Sequence, residues 1–129
     1  MKPREYTLES GIKILLGRDE NNNDELVKQF QGEENFILHT VAPGSPFCVM
    51  DEISEKIGKK EIKQAAVICA AKSQDWRDNK KSVRVHLFTG KDVHKPKNAK
   101  AGSWTLKNKP KVIKAKKREI RQWLSDKSN

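Results

Sequence analysis

One segment near the middle of the chain constrains the fold more than any other. Glu61–Lys72 (EIKQAAVICAAK) has the strongest helical pattern in the sequence, and four of its residues are alanine. Alanine favours helix, and its small side chain lets a helix lie close to a neighbouring sheet. We therefore expect this helix to lie buried across one face of a β-sheet.

Short apolar segments on both sides of this helix predict the strands of that sheet. Turn residues separate them, and Pro43 and Gly44 occupy the second and third positions of a type II turn. We expect a mostly antiparallel sheet of about six to seven short strands. The predicted segments are Tyr6–Leu16 (a hairpin around Ser10-Gly11), Phe36–Val41 and Phe47–Met50 (a second hairpin), Ser82–Thr89, Ser103–Leu106 and Lys111–Lys114.

The segment Ser82–Thr89 has a clear period of two. Its apolar residues at alternate positions predict one face that packs into the core, which leaves the other face available to a ligand. The first face carries Val83, Val85 and Leu87, and the second carries Arg84, His86 and Phe88.

Two further helices are expected at the two ends of the chain. The Asn21–Asn23 run supplies cap residues for a short helix from about Asp24 to Gln31. A basic amphipathic helix is predicted over about residues 115–126, with Ile120, Trp123 and Leu124 on its apolar side. The prediction is a single α+β domain over residues 1–129, with its core at about residues 6–113.

Several classes of protein are disfavoured. No apolar run approaches the ~18 residues of a membrane span, and the first residues lack the apolar stretch of a signal peptide. We therefore expect a cytoplasmic protein that does not enter a membrane. Cys48 and Cys69 lie in apolar segments as reduced core thiols, and the isolated histidines predict no metal site. No catalytic motif or phosphate-binding loop is present, so we expect neither an enzyme nor a cofactor.

The net charge of +10 is concentrated in the second half of the chain. Residues 1–54 carry five Lys or Arg against ten Asp or Glu, whereas Lys91–Arg121 carries twelve against two. Like charges at this density repel one another unless solvent or a polyanion screens them, so nucleic acid is the expected partner. The alternative is that these lysines form only a solvated surface.

Aromatic residues interleave with this charge. Trp104 and Trp123 lie inside the basic region, and Phe88 shares a strand face with Arg84 and His86. Such a surface could stack unpaired bases while lysines follow the phosphates. The alternative is that both tryptophans are core anchors, with Trp123 fixing the last helix.

Five blocks of the sequence, in order, resemble the NFACT RNA-binding domain, and the resemblance covers about residues 6–113. The blocks are Gly11-Ile12-x-Ile14-x-x-Gly17-Arg18, Asn23-Asp24-Glu25-Leu26, Phe36–Thr40 with Pro43-Gly44-Ser45, the helix with Ala65-Ala66, and Lys91–Gly102. The resemblance implies an α+β domain that in larger relatives is the C-terminal module of ribosome-quality-control or fibronectin-binding-protein-like factors.

Those factors hold tRNA on the large ribosomal subunit while they add a tail to a stalled chain. The modules that do this in the relatives are not in this sequence, so we expect a stand-alone member that binds RNA without adding tails. The family usually has Trp where Ile37 stands and His where Pro46 stands, so contacts made by those side chains are missing here.

The resemblance, the charge and the strand face together predict an RNA-binding surface without catalytic or metal-binding residues. Its lysines lie in one block, and His39, Ser45, Arg84 and His86 are expected to form a polar recognition patch beside them. The predicted RNA-binding residues are Arg18, His39, Ser45, Arg84, His86, Lys91, His94, Lys95, Lys97 and Lys100.

The leading function is therefore a non-catalytic RNA-binding module that acts on tRNA or ribosomal RNA, with the large ribosomal subunit as a further partner. One alternative is a protein-interaction adaptor whose acidic and basic halves contact different partners. Another is DNA binding, because lysines bind phosphates without distinguishing the sugars.

Overall fold

The computed structural model describes residues 1–128. Its main element is a six-stranded sheet in which every neighbouring pair is antiparallel, and its fold class is α+β, as predicted. In spatial order the strands are β1 (Arg4–Thr7), β2 (Lys13–Leu16), β4 (Cys48–Met50), β3 (Phe36–Thr40), β5 (Val83–Thr89) and β8 (Lys111–Ala115). A separate two-stranded sheet pairs β6 (Val93–His94) with β7 (Thr105–Leu106). The helices are α1 (Glu20–Phe30), α2 (Lys59–Ala71), α3 (Gln74–Asn79) and α4 (Lys117–Ser128).

Helix α2 lies on one face of the six-stranded sheet. Its residues from Ala65 to Ala71 are all buried, and they pack in one cluster with Leu38 and Val85 of the sheet. Helix α4 adds Ile120 to the same cluster. The prediction of a buried alanine-rich helix on one sheet face is confirmed.

Helix α1 covers part of the opposite face. Three of its apolar residues are buried against side chains that alternate with those facing α2, which gives the protein a second core. This second cluster contains Leu26, Val27 and Phe30 of α1 and Leu15, Ile37, Val49 and Phe88 of the sheet. The Ile37 side chain, at the position where the family usually has Trp, is fully buried here.

The start of α1 differs from the prediction. The helix begins at Glu20, and Asp19 is its cap, because the Asp19 carboxylate accepts a hydrogen bond from the Asn22 N–H at 2.8 Å. Asn22 and Asn23 are buried inside the helix instead of capping it. The Asn23 side-chain oxygen accepts from the Phe47 N–H at 3.0 Å. This amide joins segments far apart in sequence, which a local pattern cannot show.

Four other elements differ from the sequence predictions in their existence, their pairing or their first residue. Neither α3 nor β6 was predicted, since both are short. The strand at Thr105–Leu106 pairs with β6 and is therefore outside the main sheet. Helix α4 begins at Lys117 because Ala115 is still paired in β8.

Trp123 anchors α4 to the rest of the domain. Its ring packs edge-on against Tyr6 of β1 with a centroid distance of 5.3 Å. The ammonium groups of Lys72 and Lys127 lie 5.8 Å and 5.6 Å from the centroid of the indole. This is the structural role proposed for Trp123 from the sequence. Within residues 1–128 no helix has the length and apolar character that crossing a membrane requires.

Both cysteines are fully buried in the α2-side core. Burial raises the pKa of the Cys48 thiol, and the neighbouring Cys69 thiol raises it further. A buried thiol with a raised pKa remains protonated and unreactive. Among the described residues, no three His, Cys, Asp or Glu side chains come together as a metal site would require.

We predict that Cys48 and Cys69 act only by packing. Replacing either with Ala should lower the free energy of unfolding by about 1–2 kcal/mol, because a buried group is deleted, and should leave the RNA binding expected from the sequence unchanged. Urea denaturation measures the first effect. Alkylation of the native thiols should be as slow as global unfolding, and a stoichiometric metal lost from the double variant would contradict this prediction.

Candidate nucleic-acid interface

Hydrogen bonds to one carboxylate of α1, that of Asp24, connect the helix to the segment that follows β5. One oxygen of Asp24 accepts hydrogen bonds from the Lys95 ammonium, the Gly102 N–H and the Trp104 indole N–H, each at 2.9 Å. The Lys95 ammonium also donates to the Lys100 carbonyl at 2.8 Å and lies 5.3 Å from the centroid of the Trp104 ring. We call Asp24, Lys95, Gly102 and Trp104 the Asp24 latch.

The latch determines the ionisation of Asp24. Partial burial would raise the pKa of this carboxyl, but the hydrogen bonds from Lys95, Gly102 and Trp104 outweigh burial and lower it. Trp104 is also packed against the α1-side core. Its indole is therefore a structural anchor, as one of the two sequence interpretations proposed.

The lysines predicted to bind RNA in this segment differ in their surroundings. Lys95 belongs to the latch, and Lys91 forms an ion pair of 2.8 Å with Glu34. Lys97 and Lys100 are exposed, and within residues 1–128 neither has a carboxylate within 4 Å. His94 is also exposed, on β6. Among the described residues, Lys97 and Lys100 are thus the lysines of this block without a carboxylate partner, while Lys91 is 58% exposed in a surface ion pair.

A part of the sheet face next to α1 remains open. The register places His39, His86 and Val112 side by side on β3, β5 and β8, and it places Arg84 beside Lys114 on the same face. Arg84 and Lys114 are exposed, the two histidines are half-buried, and Val112 is 51% exposed. We call these five residues the open sheet face.

The prediction that Phe88 joins this face as a stacking residue is wrong. Phe88 is 6% exposed and packs beneath α1 with Ile37 and Leu15. The alternation placed Phe88 on the correct side of the strand. Helix α1 covers Phe88 but not His86 and Arg84. Of these three side chains of β5, only His86 and Arg84 therefore reach solvent.

The two imidazoles of the open sheet face are neutral at neutral pH. Burial lowers the pKa of His39 even though its Nδ1–H donates to the Thr40 carbonyl at 2.8 Å. Burial and the nearby Arg84 guanidinium lower the pKa of His86. The His39 ring also packs on Phe47 with centroids 4.5 Å apart. A neutral imidazole can donate and accept hydrogen bonds and can stack.

The two remaining predicted residues lie in loops, Ser45 between β3 and β4 and Arg18 between β2 and α1. The Ser45 hydroxyl accepts from the Thr40 N–H at 3.1 Å, so it fixes the loop that follows β3. Gly44 has φ of +89°, as the predicted type II turn requires at its third position. Arg18 is exposed at the end of β2, and its Nε donates to the Lys2 carbonyl at 2.7 Å.

A basic groove beside the open sheet face was not assigned as a site from the sequence. Its volume is about 730 Å³, and no carboxylate lines it. Lys114 belongs to both surfaces, so the two are continuous. The sequence shows the positive charge of this region. The predicted lysines nevertheless all lie in residues 91–100, because that block carries the family resemblance. The cations of the groove are Lys114, Lys116, Lys117, Arg118 and Arg121.

The fold and these surfaces define a small α+β domain with a basic, partly open sheet. Its sequence matches the family described as "NFACT protein RNA binding domain" over residues 2–108. The chain belongs to this family, as the resemblance in its sequence motifs indicated.

Two known proteins show how far the likeness extends. The chain is 19% identical over 72 residues to the archaeal Rqc2 homolog aRqcH of Methanocaldococcus jannaschii, a match that covers 56% of this chain and 11% of that protein. Its fold is similar to the C-terminal part of the fibronectin/fibrinogen-binding protein from Streptococcus suis, with a TM-score of 0.81 and 22% identity. That match covers 95% of this chain and 49% of the solved chain.

We predict that Lys95 stabilises the fold and that Lys97 does not. Lys95→Ala and Asp24→Ala should each lower the free energy of unfolding by about 1–3 kcal/mol, because the latch hydrogen bonds involve charged groups. Lys97→Ala, an exposed lysine of the same segment, is the matched control. Urea denaturation of these variants and of the Asp24→Ala/Lys95→Ala double variant measures the coupling.

The pH dependence of the latch has a definite sign. Because the pKa of Asp24 is lowered in the folded state, its stabilisation is present above the ordinary Asp pKa of 3.8 and is lost as the pH falls through the lowered value. The difference in stability between the wild type and Asp24→Ala should therefore shrink in acid. Equal stability of Lys95→Ala and Lys97→Ala at neutral pH would contradict the latch.

Proposed function

We propose that the chain is a non-catalytic RNA-binding module that acts in the cytoplasm on structured RNA of the translation apparatus, such as tRNA or the ribosomal RNA of the large subunit. The observation that carries this proposal is the open sheet face and its continuation into the basic groove. Together they form one extended surface that carries six Lys or Arg side chains, namely Arg84, Lys114 and the four further cations of the groove, and no carboxylate of the described residues lines the groove.

The chemistry of this surface suits a polynucleotide. Arg84, Lys114 and the cations of the groove can contact successive phosphates, which supplies most of the affinity. The neutral imidazoles of His39 and His86 and the exposed Val112 provide a less charged strip on which a base or ribose can lie. The 2′-hydroxyl group of ribose both donates and accepts, as a neutral imidazole does, so the histidines can supply the preference for RNA.

The comparisons support RNA as the ligand and ribosome quality control as the setting. The family is one of RNA-binding domains, and the archaeal relative is named as an Rqc2 homolog. Since the chain spans 11% of that relative, we propose only that RNA binding is shared and that the setting is ribosome quality control. No catalytic step is part of the proposal.

We predict that the open sheet face carries RNA affinity. Arg84→Ala and Lys114→Ala should each weaken binding of a tRNA transcript and reduce the slope of log affinity against log salt by about one unit per lost phosphate contact. Lys59→Ala, an exposed lysine at the start of α2 on the other side of the sheet, should change neither. Filter binding or fluorescence anisotropy over a salt series measures both quantities.

Substitution of the two histidines tests the preference for RNA over DNA. His86→Ala should weaken binding of single-stranded RNA more than binding of DNA of the same sequence. His39→Ala should lower the melting temperature as well, because its ring packs on Phe47 and bonds to Thr40. Equal losses for RNA and DNA would favour a DNA-binding or purely electrostatic role. A shallow salt slope unaffected by Arg84→Ala would favour a protein partner.

A further inference from the structure

A second cationic site lies at the end of the sheet where β1 begins and β2 ends. Three arginines and one lysine line one cavity of about 280 Å³, namely Arg4, Arg18, Arg77 and Lys72, and the Lys72 ammonium lies over the rings of Tyr6 and Trp123. In the part of the chain that the structure describes, none of the four has a carboxylate within 4 Å. Arginine side chains that line one cavity without an ion-paired carboxylate favour an anionic ligand.

Two carboxylates, those of Asp19 and Glu20, also line this cavity. Asp19 is the cap of α1 and accepts from the Asn22 N–H at 2.8 Å. Glu20 follows it, and the stem of its side chain lies where a Cβ on Gly102 would come within 3.4 Å. Four basic residues against two acidic ones leave the lining with a formal charge of +2.

Two of the three arginines, Arg18 and Arg77, are held in place by neutral acceptors of the protein. Arg18 donates through Nε to the Lys2 carbonyl at 2.7 Å. Arg77 donates to the Lys72 carbonyl at 3.3 Å and to the Gln74 side-chain oxygen at 3.0 Å. Each guanidinium has five N–H donors, so donors remain for a ligand, and an oriented guanidinium matches the oxygens of a phosphate.

The floor of the cavity is rigid. A Cβ on Gly17 would collide with the side-chain oxygen of Asn23, so only glycine allows this close approach. Gly44 has positive φ, a Cβ there would lie 2.9 Å from the Gln74 Cβ, and the Gln74 N–H donates to the Gly44 carbonyl at 2.8 Å. This part of the lining is therefore fixed before any ligand arrives, which lowers the cost of binding.

Size and position indicate the ligand. The volume is slightly below the ~300–1,000 Å³ of pockets for drug-sized ligands, which suits a compact anion. The cavity also touches Ser45, whose hydroxyl holds the Thr40 N–H next to His39 of the open sheet face. A strand of RNA lying on that face can thus bring a phosphate to this cavity.

We propose that this cavity is a phosphate-binding pocket, and that in the RNA-bound protein it holds a phosphate of the strand that crosses the open sheet face. The proposal deepens the proposed function and rests on it for the source of the phosphate. A free phosphate compound such as a nucleotide has the same chemistry and is the other source.

Two titrations of the full chain, followed by ¹H–¹⁵N NMR, test the pocket. Inorganic pyrophosphate should shift the amide signals of Gly17, Gly44 and Ser45, and a short single-stranded RNA should shift the same signals together with those of His86 and Lys114. Arg4→Gln combined with Arg18→Gln should weaken both ligands by about tenfold, since bonds to charged groups are lost. Lys60→Gln, an exposed lysine on α2, is the matched control.

The outcomes separate the pocket from the RNA-binding proposal. If neither ligand shifts the pocket amides while RNA still shifts His86 and Lys114, the pocket is overturned and RNA binding stands. If pyrophosphate shifts them and RNA does not bind, the pocket stands for a free phosphate compound and the proposed function fails. Thermal unfolding of the double variant must match the wild type, and Arg4→Gln alone serves if Arg18→Gln disturbs the contact with Lys2.

Discussion

The packing of α2 against the sheet is the constraint on which the rest of the structure depends. Every residue from Ala65 to Ala71 is buried, so this face of the sheet is filled by the helix and by the part of α4 beside it. The strands packed under α2 are therefore closed to ligands on that side. The surfaces to which a function is assigned lie on the opposite face and along the rim of the sheet. The open sheet face, the basic groove and the proposed phosphate pocket all lie there.

Periodicity predicted the strands and the alanine-rich helix because these features depend on neighbouring residues. It also assigned Val83, Val85 and Leu87 to the correct face of β5. It could not predict where α1 stops covering the other face, and for this reason Phe88 was mistaken for a surface residue. The extent of a covering helix depends on packing between distant segments.

The same limit applies to the charges. Lys95 and Lys97 look equivalent in the sequence, yet one is fixed by Asp24, which lies 71 positions earlier. Lys91 is likewise paired with Glu34 of the acidic half of the chain. The acidic and basic halves thus fold against each other, and the lysines of β8 and α4 account for more of the accessible positive charge than the block at residues 91–100. The family resemblance identified the fold and the class of ligand, but it could not show this redistribution.

The position of β8 has a consequence for solubility. It is an edge strand, and an unpaired edge can add a strand from another molecule. Lys111, Lys114 and Lys116 along or beside this edge, together with the start of α4, oppose such pairing by charge repulsion. The lysines proposed to meet phosphates therefore also keep separate copies of the domain apart. A polyanion that neutralises them removes this repulsion, so local crowding of the protein on a long polynucleotide would favour edge-to-edge association.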